Sequence, residues 1–372
     1  MPLVSYRETR PWAKAIEQAV LTKKMPPWLA DPSYGSFSND PSLSREEIDS
    51  VAGWVRSGAP EGMLQDAPVA VQWPATWSIG KPDAVFSMPR PFTLPKSGEI
   101  DYQWVIVPTH FKEDRWVERV ELLPGNRAAV HHAVVYVREP ESTWLKDRPA
   151  GTLFTLSSDD PGSFTTSDIL FTYTPGAAVD QWPKGMAKLV KAGSDLVFQM
   201  HYTAVATGGA DQSSIGLIFS PQPPSKRVLT LQLNNDRFVI PPGAPNVQVG
   251  AWGTLPNDAL LLSLYPHMHL RGKGFEYRVV DSQGKSSTLL KIDNYDFHWQ
   301  LTYRLKDPLA LRAGTRIECT GTFDNSKANL RNPDPSEAVR FGFQSTEEMM
   351  IGFFDVAVPA SVDKPAFFVR GQ

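Results

Sequence analysis

From Trp73 onward the chain alternates apolar and polar residues in short runs broken by Pro, Gly, Asn and Asp, the pattern of antiparallel sheets packed in sandwiches. Residues 1–65 read as two helices instead. The first is expected from near Arg10 to Lys24, opened by Thr9 and by Pro11, where a missing N–H is harmless. The second is expected from Ser44, whose hydroxyl can cap Glu47 while the Glu47 carboxylate reaches back, and is ended by Gly58. A two-helix segment buries little by itself, so it should lean on the rest of the chain. A proline-rich break at Ser220–Ser225 divides the β region into parts of similar size and reads as a hinge. The expected fold is therefore mainly β, with two antiparallel β-sandwich domains at 73–222 and 223–366 behind a small helical segment at 1–65.

Three stretches carry unusual chemistry on this pattern. On an ideal strand, Leu262–Arg271 puts Leu262, Leu264, Met268 and Leu270 on one face and Ser263, Tyr265, His267, His269 and Arg271 on the other, so the two histidines point the same way. In Leu196–Tyr202, the apolar face is Leu196, Phe198, Met200 and Tyr202, leaving Gln199 and His201 opposite. His131 and His132 are adjacent and would face opposite ways on a regular strand. They reach one centre only at a bulge or strand end.

Composition sharpens this reading. The 372 residues include 33 Pro and 26 Gly spread along the chain, which favours short strands and many turns over helix. A net charge of -3, from interspersed charges of both signs, offers no basic stripe for nucleic acid. No apolar run is long enough to span a membrane, and the N-terminus lacks the layout of a signal peptide. The one cysteine, Cys319, cannot build a disulfide or a metal cluster alone, so a bound metal falls to histidine. Five of the seven histidines lie in the three stretches; His110 and His298 read as ordinary exposed or satisfied side chains.

HHAVVYV, FQMHYT, PHMHLRGK and TEEMMIGFFD, in that order over about residues 75–365, resemble the copper type II, ascorbate-dependent monooxygenases. The resemblance implies two jelly-roll-like β domains across an open cleft, with two coppers per chain. It implies that His131, His132 and His201 hold an electron-transfer copper, and that His267, His269 and Met349 hold the dioxygen-binding one. Met350 is the neighbouring candidate. Gln199 matches a family position beside the metal. It further implies hydroxylation of a C–H bond of a small organic substrate, with dioxygen and ascorbate or another one-electron donor, in the periplasm or outside a bacterial cell. The ligand types suit this: three imidazoles serve either oxidation state of copper, and a thioether beside two imidazoles favours Cu(I). A copper-binding electron relay without hydroxylase activity is the rival reading.

The family's peptide-gripping positions are occupied here by Tyr265, Ile351 and Phe353, so an apolar or aromatic substrate is expected in place of a peptide carboxylate. The N-terminal segment, with RPWAKAIEQAV, KMPPW and SREEIDSVAGWVRSGAPEG, resembles the later part of a bacterial cytochrome c-type domain. The CxxCH attachment motif is absent, so no haem is expected in this chain and a separate cytochrome is a candidate electron-donating partner. Met25, which would be an axial ligand in a complete domain, is expected to pack between helices.

Overall fold

A computed structural model describes residues 3–67, 76–156, 168–176 and 179–367; Trp73, the expected start of the β region, lies outside these. The fold is mainly β, with a small helical segment at the N-terminus. Ser5 opens the first helix, its hydroxyl accepting the Glu8 N–H, and Tyr6–Thr9 runs through a 3-10 turn at Arg10–Trp12 into Ala13–Leu21. Both ends thus differ from expectation: a stronger N-cap lies five residues upstream of Arg10, and Lys23 adopts a positive φ of 54° that stops the helix before Lys24. The second helix, Arg45–Arg56, has the expected capping box between Ser44 and Glu47, and Gly58 follows with φ 94°. The segment leans on the β region as expected. Trp28 and Phe37 pack their rings against Tyr303 at 4.7 and 5.5 Å between centroids. Met25, however, is 43% exposed and lines a surface groove with Trp28 and Trp299, so it is not an interhelical packing residue.

One nine-stranded sheet runs through the molecule. Its order is Ala84–Ser87, Ser214–Phe219, Arg115–Leu123, Met186–Val190, Lys226–Asn235, Met350–Pro359, Ala259–His267 and Tyr303–Leu311, with Val179–Gln181 added beside Arg115–Leu123. The proline-rich link at 220–225 connects two strands of this sheet. Its two sides meet through a short parallel pairing of Lys226 and Arg227 with Met186 and Ala187. A four-stranded sheet of Gln103–Pro108, Asp195–Tyr202, Val130–Arg138 and Asp168–Tyr173 supplies much of one buried core. A second, of Val247–Thr254, Arg316–Phe323, Gly272–Val280 and Ser286–Ile292, does the same for another. A third apolar cluster joins residues from both halves, among them Tyr102, Trp104, Val134, Tyr265, Met349 and Phe353. Among the described residues no helix is long and apolar enough to cross a membrane.

Candidate metal centre

Irregular strand pairing creates the first histidine cluster. Val130–Arg138 pairs with Asp195–Tyr202, but the register slips between Val130 and His132, which face Tyr202 and His201. His131 is the extra residue of this bulge, so the adjacent histidines turn toward one point. The ligand nitrogens of His131, His132 and His201 all lie within 4.8 Å of one another. His132 Nδ1 stands 3.2 Å from His131 Nδ1 and 3.3 Å from His201 Nδ1. A neutral imidazole offers one N–H and one lone pair, so three converging rings cannot all satisfy each other, whereas a cation satisfies all three. Burial, reinforced by neighbouring histidines, pushes His131 down to about 4 and His201 to about 3, and lowers His132 as well. All three are thereby held in the neutral, ligating form.

Aromatic residues pack around this cluster. Tyr102 stacks on His201 at 4.5 Å with its hydroxyl 3.2 Å from His132 Nε2, and Phe297 stacks on His131 at 4.6 Å. The His298 ring, exposed as expected, nonetheless lies 6.5 Å from that of His131; His110 is exposed after the strand Gln103–Pro108, with φ 56°.

The second pair sits where Ala259–His267 ends. The strand stops at His267, short of the expected Arg271, and a bulge between Leu261 and Ser263 turns Leu262 into a different core from Leu264. The imidazoles of His267 and His269 stand 5.3 Å apart between centroids and nearly perpendicular. His267 Nδ1 lies 2.5 Å from Gln300 Oε1, and His269 Nδ1 lies 3.3 Å from the Glu347 carbonyl. Each acceptor fixes the proton on Nδ1 and leaves the Nε2 lone pair free. His269 Nε2 is buried with no hydrogen-bond partner. Burial pushes His267 down to about 4 and lowers His269 further.

Glu348 holds this corner together. Fully buried, its carboxylate accepts the backbone N–H groups of His269 at 2.9 Å and Arg271 at 2.5 Å, tying the histidine turn to the methionine segment. Burial pushes its carboxyl up to about 8, against the pull of those N–H donors and the Arg271 charge.

Met349 lines a cavity of about 60 Å³ together with His132 and His267. Met350 points the other way, into the core beside Gly321. Gln199, Tyr265, Ile351 and Phe353 line the same cavity. The two histidine sets are neighbours across it: the His132 and His267 rings are 5.5 Å apart. Among the described residues no open cleft of the kind the resemblance implies separates the two sets, because the apolar cluster shared by both halves closes the seam. Sequence reasoning missed Tyr102, Phe297 and Gln300, which reach the histidines from distant positions. Glu348 had a signal, as the acidic residue before the methionine in TEEMMIG.

No curated protein sequence matches the chain. The solved structures it resembles include PNGase F, a glycosylasparaginase from Flavobacterium meningosepticum, at 10% identity over 73% of this chain and 97% of that one, with a TM-score of 0.33. The major capsid protein P2 of bacteriophage PM2 matches at 10% identity over 72% and 98%, with a TM-score of 0.30. Likenesses this distant bear on no functional question. Residues 227–355, about a third of the chain, match the family model of the copper type II ascorbate-dependent monooxygenase, C-terminal domain, a stretch that contains His267, His269 and Met349.

Proposed function

We propose that the chain is a two-copper monooxygenase that hydroxylates a C–H bond of a small organic substrate. The observation that carries this is that two clusters of largely buried histidines approach each other at one aromatic-walled cavity, which His132 and His267 line. The donor sets fit copper. His131, His132 and His201 would hold one ion in an all-imidazole site, and His267, His269 and Met349 the other in a site whose thioether favours Cu(I). The copper pair, when bound, supplies one-electron redox chemistry and a place for dioxygen. One oxygen atom enters the C–H bond and the other leaves as water, taking up two electrons and two protons, with ascorbate or a cytochrome as the donor.

The chain's own residues orient and protect. Gln300 and the Glu347 carbonyl set the tautomers of His267 and His269, Glu348 fixes the turn between them and Met349, and Tyr102 and Phe297 hold the first cluster in place. Tyr265, Ile351 and Phe353 help to wall the cavity, which no charged side chain lines, so a substrate without an anionic end suits it. We take the two β domains at 73–222 and 223–366 to carry one copper each, in a periplasmic or extracellular setting as in the family resembled.

The test is turnover under isotopically labelled dioxygen with ascorbate and a metabolite panel, read by mass spectrometry. The expected product carries one labelled oxygen and disappears on copper chelation. Ascorbate oxidation with peroxide release and no hydroxylated product across the panel would favour a relay instead.

A further inference from the structure

Three carboxamides face the cavity between the histidine sets: Gln199, Gln232 and Asn234. Among the described residues none has a side-chain hydrogen-bond partner, and Asn234 Oδ1 is buried from solvent with no partner there. A buried acceptor left unpaired is unfavourable, and beside a cavity it can be met by a donor that enters there. Neither Gln232 nor Asn234 follows from the histidine motifs; both come from the strand Lys226–Asn235.

The strand register fixes where they stand. Asn234 pairs with Ile351, which pairs on its other side with His267; Gln232 pairs with Phe353, which pairs with Tyr265. Two rows therefore cross the sheet, each from the histidine strand over an apolar residue to an amide. Neighbouring strands lie roughly 4.8 Å apart, so Asn234 stands about 10 Å from His267 along its row. Side chains at each end take up part of this span and leave room for one ring over Ile351 and Phe353. Tyr102, Tyr136 and Phe343 supply aromatic walls.

We propose that Asn234 and Gln232 form the polar end of the substrate site. The substrate class is an uncharged ring compound whose hydrogen-bond donor, a phenol O–H or an amide N–H, lies about one six-membered ring from the C–H that reacts. This rests on the monooxygenase reading above and narrows its apolar or aromatic substrate to one with a neutral donor. A carboxylate would bring negative charge toward Asn234 Oδ1 with no cation to offset it, and a hydrocarbon would leave that oxygen unpaired. The cavity, about 60 Å³, is smaller than the roughly 150 Å³ that holds benzene, so binding widens a wall built from two halves that no disulfide ties together.

Equilibrium dialysis of the copper-loaded full chain against 4-ethylphenol, 4-ethylanisole and 4-ethylbenzoate tests this without turnover, with copper per chain measured on the same samples. The phenol is expected to bind about tenfold or more tighter than its methyl ether and the carboxylate. Asn234→Leu should bring phenol and ether to near equality with copper content unchanged, and Gln232→Leu should narrow the gap. Equal binding of phenol and ether by the unaltered protein, tighter binding of the benzoate, absence of binding by any probe at millimolar concentration, or a preference that survives both substitutions would each overturn the proposal. Loss of the hydroxylase reading would show separately, as absent copper or absent product.

Discussion

Two methionines stand side by side in the chain, yet their thioethers belong to different parts of the protein: Met349 faces the cavity and Met350 is sealed in the core of the second half. Truncating each should therefore have opposite consequences. Met349→Ala is expected to keep some copper at His267 and His269 but lose most product per oxygen consumed, because the ligand set no longer favours Cu(I). Met350→Ala should keep its coupling and lose roughly 2–5 kcal/mol of stability, as deletion of a buried methionine side chain does. If Met350→Ala abolishes product while Met349→Ala is silent, the ligand is the neighbour. Alternation along a strand was enough to set Gln199 and His201 on one face, whereas the choice of Met349 over Met350 came from the resemblance alone. For the adjacent His131 and His132 to reach one centre, the pattern required a bulge or a strand end, and the structure has the bulge. What a strand pattern does not carry is contact between distant residues, which is why Gln300 beside His267 and Tyr102 on His201 emerge only in three dimensions.

At the scale of elements, the strand Met350–Pro359 connects the chemistry to the packing. It continues from Met349, lays Ile351 and Phe353 under the cavity, and pairs with the strands of both His267 and Asn234. Its back leaves no space at Gly352, where a β-carbon would run into Cys319 Sγ and come within 3.1 Å of the Tyr277 ring. Gly352→Ala should accordingly overpack the sandwich and lower stability by about 1–3 kcal/mol in urea, with weaker copper retention at the adjoining histidines. An unchanged denaturation midpoint would mean that the two sheets are held less closely than described. The tight approach was not legible beforehand, since a glycine within an apolar run gives no sign of which element it lets near. The helix start at Ser44 was legible from its capping box, whereas the cap at Ser5 was passed over for Thr9, and at Lys23 the backbone itself turns.

Across the whole molecule, one continuous sheet and a shared apolar cluster press the halves together, so the two histidine sets lie across a small cavity and not across an open cleft. The residues of that cluster are scattered from Tyr102 to Phe353, and each alone reads as ordinary core. The central claim is that this seam holds two metal ions in separate donor sets, and elemental analysis of copper per chain tests it most directly. The unaltered protein is expected to hold two coppers. His267→Ala with His269→Ala should leave one, and His131→Ala with His132→Ala should also leave one. Two coppers retained in either double variant, or none bound by the unaltered protein, would contradict the account.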